Sequence, residues 1–193
     1  MTTGPVDCHT HRLDAPYPAI ISVQPEDTLL PGHRYSVGIH PWHTDKLPAG
    51  WREQLHAAAL QPEVVAIGEA GIDRLRGADM ATQLDVLSEH IKLSEQLELP
   101  LILHVVKAFN EIIQLRQRIN PSQKWIIHGF RSKPELARQL LDNGFDLSLG
   151  EHFNAATAAI IPADRLHFET DESSLPISEI AHRILAARQG TGS

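Results

Sequence analysis

The sequence predicts an α/β fold, a small TIM (β/α)8 barrel, because apolar runs alternate with helical stretches along the chain. The runs predicted as strands are 6–11, 19–23, 35–40, 64–69, 101–106, 125–130, 145–149 and 166–170. From the third run onward, each run precedes a stretch of helical character, which indicates parallel strands joined by right-handed crossovers. An open doubly wound sheet is the alternative. Polar side chains at the ends of the runs favour the barrel, because barrel enzymes carry their active site at that end of the strands.

The connections between the predicted strands differ along the chain. The stretches "RLDAPYP" and "QPEDTLLPGHR", which follow the first two strands, are short and rich in proline, so the first two outer helices are predicted to be reduced or absent. The clearest helix lies in "ATQLDVLSEHIKLSEQLELP", where apolar residues recur at helical spacing. A later helix is predicted to begin with Ser132 as its N-cap, with Glu135 completing a capping box, and to end near Gly144. Other histidines fall on predicted helices and are expected to be solvated: His56, His90 and His182.

The composition is that of an ordinary globular protein. The 193 residues, 42% hydrophobic and 21% charged, predict one domain over residues 1–193. No apolar run is long enough to cross a bilayer, and the N-terminus lacks the pattern of a signal peptide. The single cysteine, Cys8, cannot form an internal disulfide, so we expect a cytoplasmic protein with no membrane partner. The net charge of −7 argues against a broad basic surface for duplex DNA, but it allows a phosphate at a local cationic site.

Metal-type side chains lie at the ends of five predicted strands. His9 and His11 are two residues apart on the first strand and therefore point to the same face. Glu69 ends the buried run "VVAIGE", where a carboxylate is rare unless it is paired or bound to a metal. The remaining candidates lie toward the ends of the fifth and sixth strands and just past the eighth: His104, His128 and Asp171. Each alone has an ordinary explanation as a hydrogen-bonded, paired or helix-capping residue, but their shared position favours a metal site.

The ligand types and their number predict the cofactor. Imidazole nitrogen and carboxylate oxygen suit zinc, manganese, iron or, with more oxygen ligands, magnesium. Six ligand groups exceed what one zinc needs, so we expect two divalent metal ions with Glu69 between them. Such a pair lowers the pKa of a shared water and stabilises both oxygens of a hydrolytic step. The sequence therefore predicts a metal-dependent hydrolase.

The motifs "HTHRLD", "GIHPWH", "AIGEAGID", "LILHV", "IIHGF" and "ETDESS" follow one another in the order of a known family. Over nearly the whole chain they resemble the TatD family of metal-dependent deoxyribonucleases, which belong to the TIM-barrel metallo-dependent hydrolases. The resemblance implies a phosphodiesterase that acts on phosphoesters, including single-stranded DNA ends, with Asp171 orienting or deprotonating the attacking water. It implies these ligands: His9, His11 and Asp171 for one ion, His104 and His128 for the other, and Glu69 for both.

Substrate contacts are predicted at three further positions. His40 matches the Gly-x-His-Pro motif of the family, where it would contact the substrate phosphate, although a turn residue beside proline is an equal explanation. Lys107 lies where the family usually has an arginine-containing turn, and Arg131 follows the histidine of the sixth strand. Both cations could equally be solvated surface charges. Shortened segments that flank the family pattern support metal-dependent hydrolysis better than they support DNA as the substrate.

Two alternatives to a phosphodiesterase stay open. An amidohydrolase or lactonase of the same superfamily would attack a C–N or C–O bond, but many of those enzymes use a modified lysine where this chain has Glu69. A barrel that keeps its metal without turnover is the other alternative, although buried ionisable groups are costly to keep for packing alone. The sequence leaves the metal, the substrate and the oligomeric state open.

Overall fold

The computed structural model describes residues 4–16 and 18–190, and their eight strands form a closed parallel barrel in the order β1 to β8. The strands are β1 (Asp7–Thr10), β2 (Ala19–Val23), β3 (Arg34–Val37), β4 (Val64–Asp73), β5 (Leu101–Val106), β6 (Trp125–Ile127), β7 (Phe145–Leu149) and β8 (Leu166–Phe168). The helices are α1 (Trp51–Ala59), α2 (Met80–Leu97), α3 (Phe109–Ile119), α4 (Pro134–Asp142), α5 (Ala155–Ile160) and α6 (Ile177–Gly190). The predicted barrel is confirmed, and the open doubly wound sheet is wrong.

Helices follow the strands as predicted. Within the described residues, no helix lies between β1 and β2 or between β2 and β3, and one helix follows each strand from β3 onward. Short 3-10 helices at Pro41–Lys46 and Ala163–Arg165 precede α1 and β8. No helix in the described ranges combines the length and apolar character needed to span a bilayer.

The chain divides into two compact units. The terminal unit comprises the residues up to Ile21 together with those from Ile126 onward, and the central unit is Ser22–Trp125. In the central unit α2 packs on β4, and its Val86 and Leu87 are buried. In the terminal unit α4 packs on β7 and α5 packs on α6. That residues 1–193 act as one domain stays a prediction.

The start of α4 differs from the prediction. Its N-cap is Lys133, which makes no side-chain capping bond, and Pro134 takes the first helical position. Proline is suited to that position because its missing N–H would have no partner there. The predicted capping box with Ser132 is therefore wrong, and the Ser132 carbonyl instead accepts a hydrogen bond from the Thr157 hydroxyl at 2.7 Å. The helix does end before Gly144, which has the left-handed backbone (φ 83°) predicted for it.

The helical histidines have different environments. His182 is exposed on α6, as predicted, and the His56 ring is 41% exposed and lies 2.8 Å from a Glu89 carboxylate oxygen. His90 is fully buried in α2, so its predicted solvation is wrong. Its Nε2 accepts a hydrogen bond from the backbone N–H of Ile39 at 2.9 Å, and this tertiary contact explains why a histidine occupies the buried face of the helix.

Candidate metal centre

The terminal unit brings three predicted ligands together at the end of β1. The rings of His9 and His11 have centroids 5.0 Å apart, as their spacing along a strand requires. Asp171 Oδ1 lies 3.6 Å from His11 Nε2 and 3.9 Å from His9 Nε2. One ligand atom from each residue lies within 4.8 Å of the others. His9 is fully buried, whereas the side chains of His11 and Asp171 are 42% and 39% exposed, so this group is open to solvent on one side.

Backbone pairing with β1 holds Asp171 in place. The Asp171 N–H donates to the His9 carbonyl at 3.0 Å, and the His11 N–H donates to the Asp171 carbonyl at 3.2 Å. The preceding residue, Thr170, has its N–H 3.0 Å from Asp7 Oδ1 and its hydroxyl 2.6 Å from Asp7 Oδ2. Burial raises the pKa of Asp7, although the bonds from Thr170 oppose that change. Asp171 therefore projects its carboxylate from a backbone anchored on both sides.

His128 lies beside the same group, together with a carboxylate that the sequence analysis missed. The rings of His128 and His9 have centroids 4.2 Å apart, and His128 Nδ1 is 3.8 Å from Glu169 Oε1. Glu169 is only 1% exposed, and its Oε1 accepts from the Gly129 N–H at 2.5 Å. Burial acts to raise the pKa of Glu169, but its electrostatic interactions with the neighbouring His128 and His9 rings outweigh burial and lower that pKa. The motif "ETD" carried the signal, since residues two apart on an extended chain share a face.

The central unit brings together Glu69, His104 and His40. Glu69 Oε1 lies 2.8 Å from His104 Nδ1 and 3.0 Å from His40 Nε2, and the carboxylate is 3% exposed. The His40 ring also accepts at Nδ1 from the Trp42 backbone N–H at 3.1 Å, which places the proton of the neutral ring on Nε2, facing Glu69. His40, Glu69 and His104 also form a second metal-type group, whose ligand atoms lie within 4.8 Å of one another, and metal binding at His40 Nε2 would replace this proton. Its predicted contact with a substrate phosphate stays a prediction.

Glycines allow Glu69 to occupy its position. A Cβ on Gly38 would lie 2.6 Å from the Glu69 carbonyl oxygen, so only a residue without a side chain lets β3 approach β4 here. Gly68 has φ 128°, and a Cβ there would collide with the carbonyl oxygen of Ile102 on β5. The lack of a side chain at these two positions thus lets β4 lie close to β3 and β5 where Glu69 projects its carboxylate.

Asp73 lies beside His104 at the far end of β4. Its Oδ2 accepts from Trp42 Nε1 at 2.6 Å and lies 3.5 Å from His104 Nε2. Burial acts to raise the pKa of Asp73, but hydrogen bonds from Trp42 and Leu75 and the charge of His104 lower it overall. The buried Gln83 side chain fixes the strand end, because it accepts from the Asp73 N–H at 2.8 Å and donates to the Asp73 carbonyl at 3.0 Å.

Asp73 was missed because the predicted strand stopped at Glu69, four residues too early. Had the strand been extended, the alternation of side chains would have placed both carboxylates on one face. Lys107 and Arg131 are exposed residues that follow β5 and β6, and neither belongs to the two metal-type groups. Their contact with a substrate stays a prediction.

Comparison with known proteins decides the family. The profile of the family described as "TatD related DNase" matches residues 28–177. The chain belongs to the TatD family. It is 31% identical over 149 residues to the "Uncharacterized metal-dependent hydrolase TatD" of Mycobacterium tuberculosis, and 32% identical over 147 residues to the "3'-5' ssDNA/RNA exonuclease TatD" of Cronobacter turicensis. Each match covers 70% of this chain and 56% of the relative, so the chain spans about half the length of these TatD proteins.

Solved TatD structures have the same fold. The TatD homologue YjjV of Escherichia coli superposes with a TM-score of 0.72 at 22% identity, covering 89% of this chain and 83% of that one. A TatD family hydrolase of Entamoeba histolytica superposes with a TM-score of 0.66 at 25% identity, covering 79% and 59%. These matches agree with the closed barrel.

Proposed function

We propose that this TatD protein is a divalent-metal-dependent phosphodiesterase that hydrolyses nucleic-acid ends with an activated water. The observation that carries the proposal is the presence of two metal-type groups, His9–His11–Asp171 and His40–Glu69–His104, each with its ligand atoms within 4.8 Å. The relatives named as exonucleases of single-stranded DNA and RNA, from Cronobacter turicensis and Erwinia tasmaniensis, support the substrate class. The cytoplasmic setting stays a prediction.

The donor atoms fit divalent ions. Both groups combine imidazole nitrogen with carboxylate oxygen, the set that zinc and manganese prefer, while magnesium would need more oxygen and water. Glu169 adds a further buried oxygen, since its Oε2 has no hydrogen-bond partner among the residues that the structure describes. A buried carboxylate oxygen without a donor is costly, and a cation would offset that cost. When bound, two such ions would lower the pKa of a water and stabilise the attacking and leaving oxygens.

The side chains of the chain itself have distinct proposed roles. Asp171, with a partly exposed carboxylate and a backbone anchored to His9 and His11, would orient the attacking water and accept its proton. Glu69 would bind an ion together with His104, and its sharing by both ions stays a prediction. His104 would be held by Asp73, in the way that ligating histidines are commonly oriented by a carboxylate on the second ring nitrogen.

Hydrolysis of a single-stranded oligonucleotide and of a generic phosphodiester tests the proposal, with Mg²⁺, Mn²⁺, Zn²⁺ or a chelator. We expect turnover that requires a divalent ion and that falls by about 10²- to 10⁴-fold in Asp171→Asn, the range for loss of a general base. Asp142→Asn is the matched control, because Asp142 is an exposed carboxylate at the end of α4 in the same unit. If the protein binds metal but hydrolyses no phosphodiester with any ion, the proposal is wrong, and lactones and amides become the substrates to test.

A further inference from the structure

The central unit contains a cavity beside the His40–Glu69–His104 group. The cavity has a volume of about 340 Å³, and its wall includes Trp42 and His43. The His40 ring belongs to the metal-type group, and its centroid lies 4.8 Å from that of Trp42 and 5.9 Å from that of His43, two residues in the cavity wall. If a substrate binds at the metal-type group, the part of the substrate next to the bound atoms would therefore extend into the cavity. Its volume falls within the range of about 300–1,000 Å³ that small-molecule sites occupy.

The wall of the cavity is suited to a flat aromatic ring. Two of the three tryptophans of the chain, Trp42 and Trp51, line it together with Ile39 and Leu47. Trp42 is 41% exposed, yet its indole is fixed, because its N–H donates to Asp73 and the Arg76 guanidinium lies 4.2 Å from the ring centroid. Exposed aromatic rings that are held rigidly are the usual platforms on which proteins stack unpaired bases.

The charges around the cavity disfavour a phosphate inside it. Glu26 and Asp45 contribute two carboxylates to the wall, against the single ammonium of Lys46. A neutral ring with polar edges avoids this repulsion. Two side-chain amides in the wall, Gln24 and Gln54, can donate to and accept from such edges.

We propose that this cavity binds the nucleobase of a nucleotide whose phosphate lies at the metal centre. The proposal rests on the proposed function and specifies how the substrate is held there. Stacking on the faces of a base depends little on which base it is, so the site accepts both purines and pyrimidines. Base binding in the cavity would place the neighbouring phosphate beside His40, the histidine that joins the cavity to Glu69.

The test compares a normal oligonucleotide with one whose two terminal nucleotides lack bases. We expect the wild-type kcat/KM to fall by about 5- to 150-fold on the abasic substrate, the equivalent of one base–aromatic stack. Gln54→Arg puts a long side chain into the cavity wall and should reduce this difference to less than about twofold. Gln61→Arg is the matched control, because it adds the same charge at an exposed position that does not line the cavity.

A binding measurement separates this proposal from the proposed function. Adenosine and thymidine, added with a chelator present, should quench the tryptophan fluorescence of the wild type and of Gln61→Arg but not of Gln54→Arg. Equal turnover of the two substrates, or a base preference that survives in Gln54→Arg, overturns the cavity proposal and leaves the phosphodiesterase standing. If no phosphodiester is hydrolysed but nucleosides quench the fluorescence in this pattern, the proposed function fails and base binding stands.

Discussion

The buried His90 makes the stability of the protein depend on pH. Its Nε2 accepts from the Ile39 N–H at 2.9 Å, so the proton of the neutral ring is on Nδ1, which lies 2.8 Å from the Val86 carbonyl oxygen. Burial lowers the pKa of His90 from 6.5 to about 4, although the bond to Val86 opposes the change. A second proton would have to go on Nε2, where it would meet the Ile39 N–H.

The direction and size of the effect follow from these two pKa values. Between pH 6.5 and pH 4 the unfolded chain holds a proton on His90 that the folded chain does not hold. The contribution of His90 to stability is therefore complete above pH 6.5 and is lost as the pH falls toward 4. At about 1.4 kcal/mol per pKa unit, the loss is about 2 kcal/mol at pH 5 and about 3 kcal/mol at pH 4.

Urea unfolding of the wild type and of His90→Gln at pH 7.5 and pH 5 measures this effect. With a chelator present, bound ions do not add their own pH dependence. The wild type should lose about 2 kcal/mol more than His90→Gln between the two pH values. His182→Gln, which replaces an exposed histidine on α6, should lose as much as the wild type. Parallel losses in the wild type and His90→Gln would refute the reasoning, and so would an NMR titration in which the His90 ring protonates near pH 6.5.

Three further changes have defined outcomes. Gly68→Ala should lower the free energy of unfolding by about 1–3 kcal/mol or more in urea, because the backbone there is left-handed, while Gly190→Ala, with nothing within 4 Å of its added Cβ, should not. Thr170→Val should cost about 1–3 kcal/mol by the same measurement, since the buried Asp7 carboxylate loses the Thr170 hydroxyl 2.6 Å away; an unchanged midpoint would contradict this. Mn²⁺ at 100 times its Kd should raise the free energy of unfolding by about 2.7 kcal/mol for each ion bound, seen as a higher Tm, and His11→Ala at the same Mn²⁺ concentration should lose the gain that comes from one ion.

Local sequence patterns were enough to predict the bounds of three strands. β2, β5 and β7 have the predicted bounds, because each is a short run rich in apolar residues that is bordered by proline, glycine or a polar residue. β4 was predicted too short, since Gly68 and Gly71 lower strand propensity. Both glycines stay in the strand because the neighbouring strand leaves no room for a side chain: a Cβ on either would collide with a carbonyl oxygen of β5.

In the candidate site, too, some residues were predicted from local patterns and others were not. His9, His11 and Asp171 were predicted together from the alternation of side chains on a strand and from the position of active sites in barrels, and the structure brings them within 4.8 Å. Glu169 and Asp73 were missed, although both have the spacing that would place them on the same face as a predicted ligand. Each lies beside a histidine from another strand, and a single sequence does not give the register between strands that brings these side chains together.

The sequence by itself determined the fold class, the order of strands and helices, the shortening of the first two connections and the residue types of the candidate metal centre, because these depend on periodicity and on side-chain chemistry. Only the tertiary structure decided the environment of each side chain. His90 looks like a surface residue of an amphipathic helix until the Ile39 N–H, 51 residues away, becomes its partner. The cavity beside Trp42 likewise forms only where the residues that follow β2, the residues that follow β3 and the start of α1 come together. The burial and the hydrogen bonds of a side chain depend on residues that are distant in sequence. They set the pKa values and the side-chain positions on which function depends.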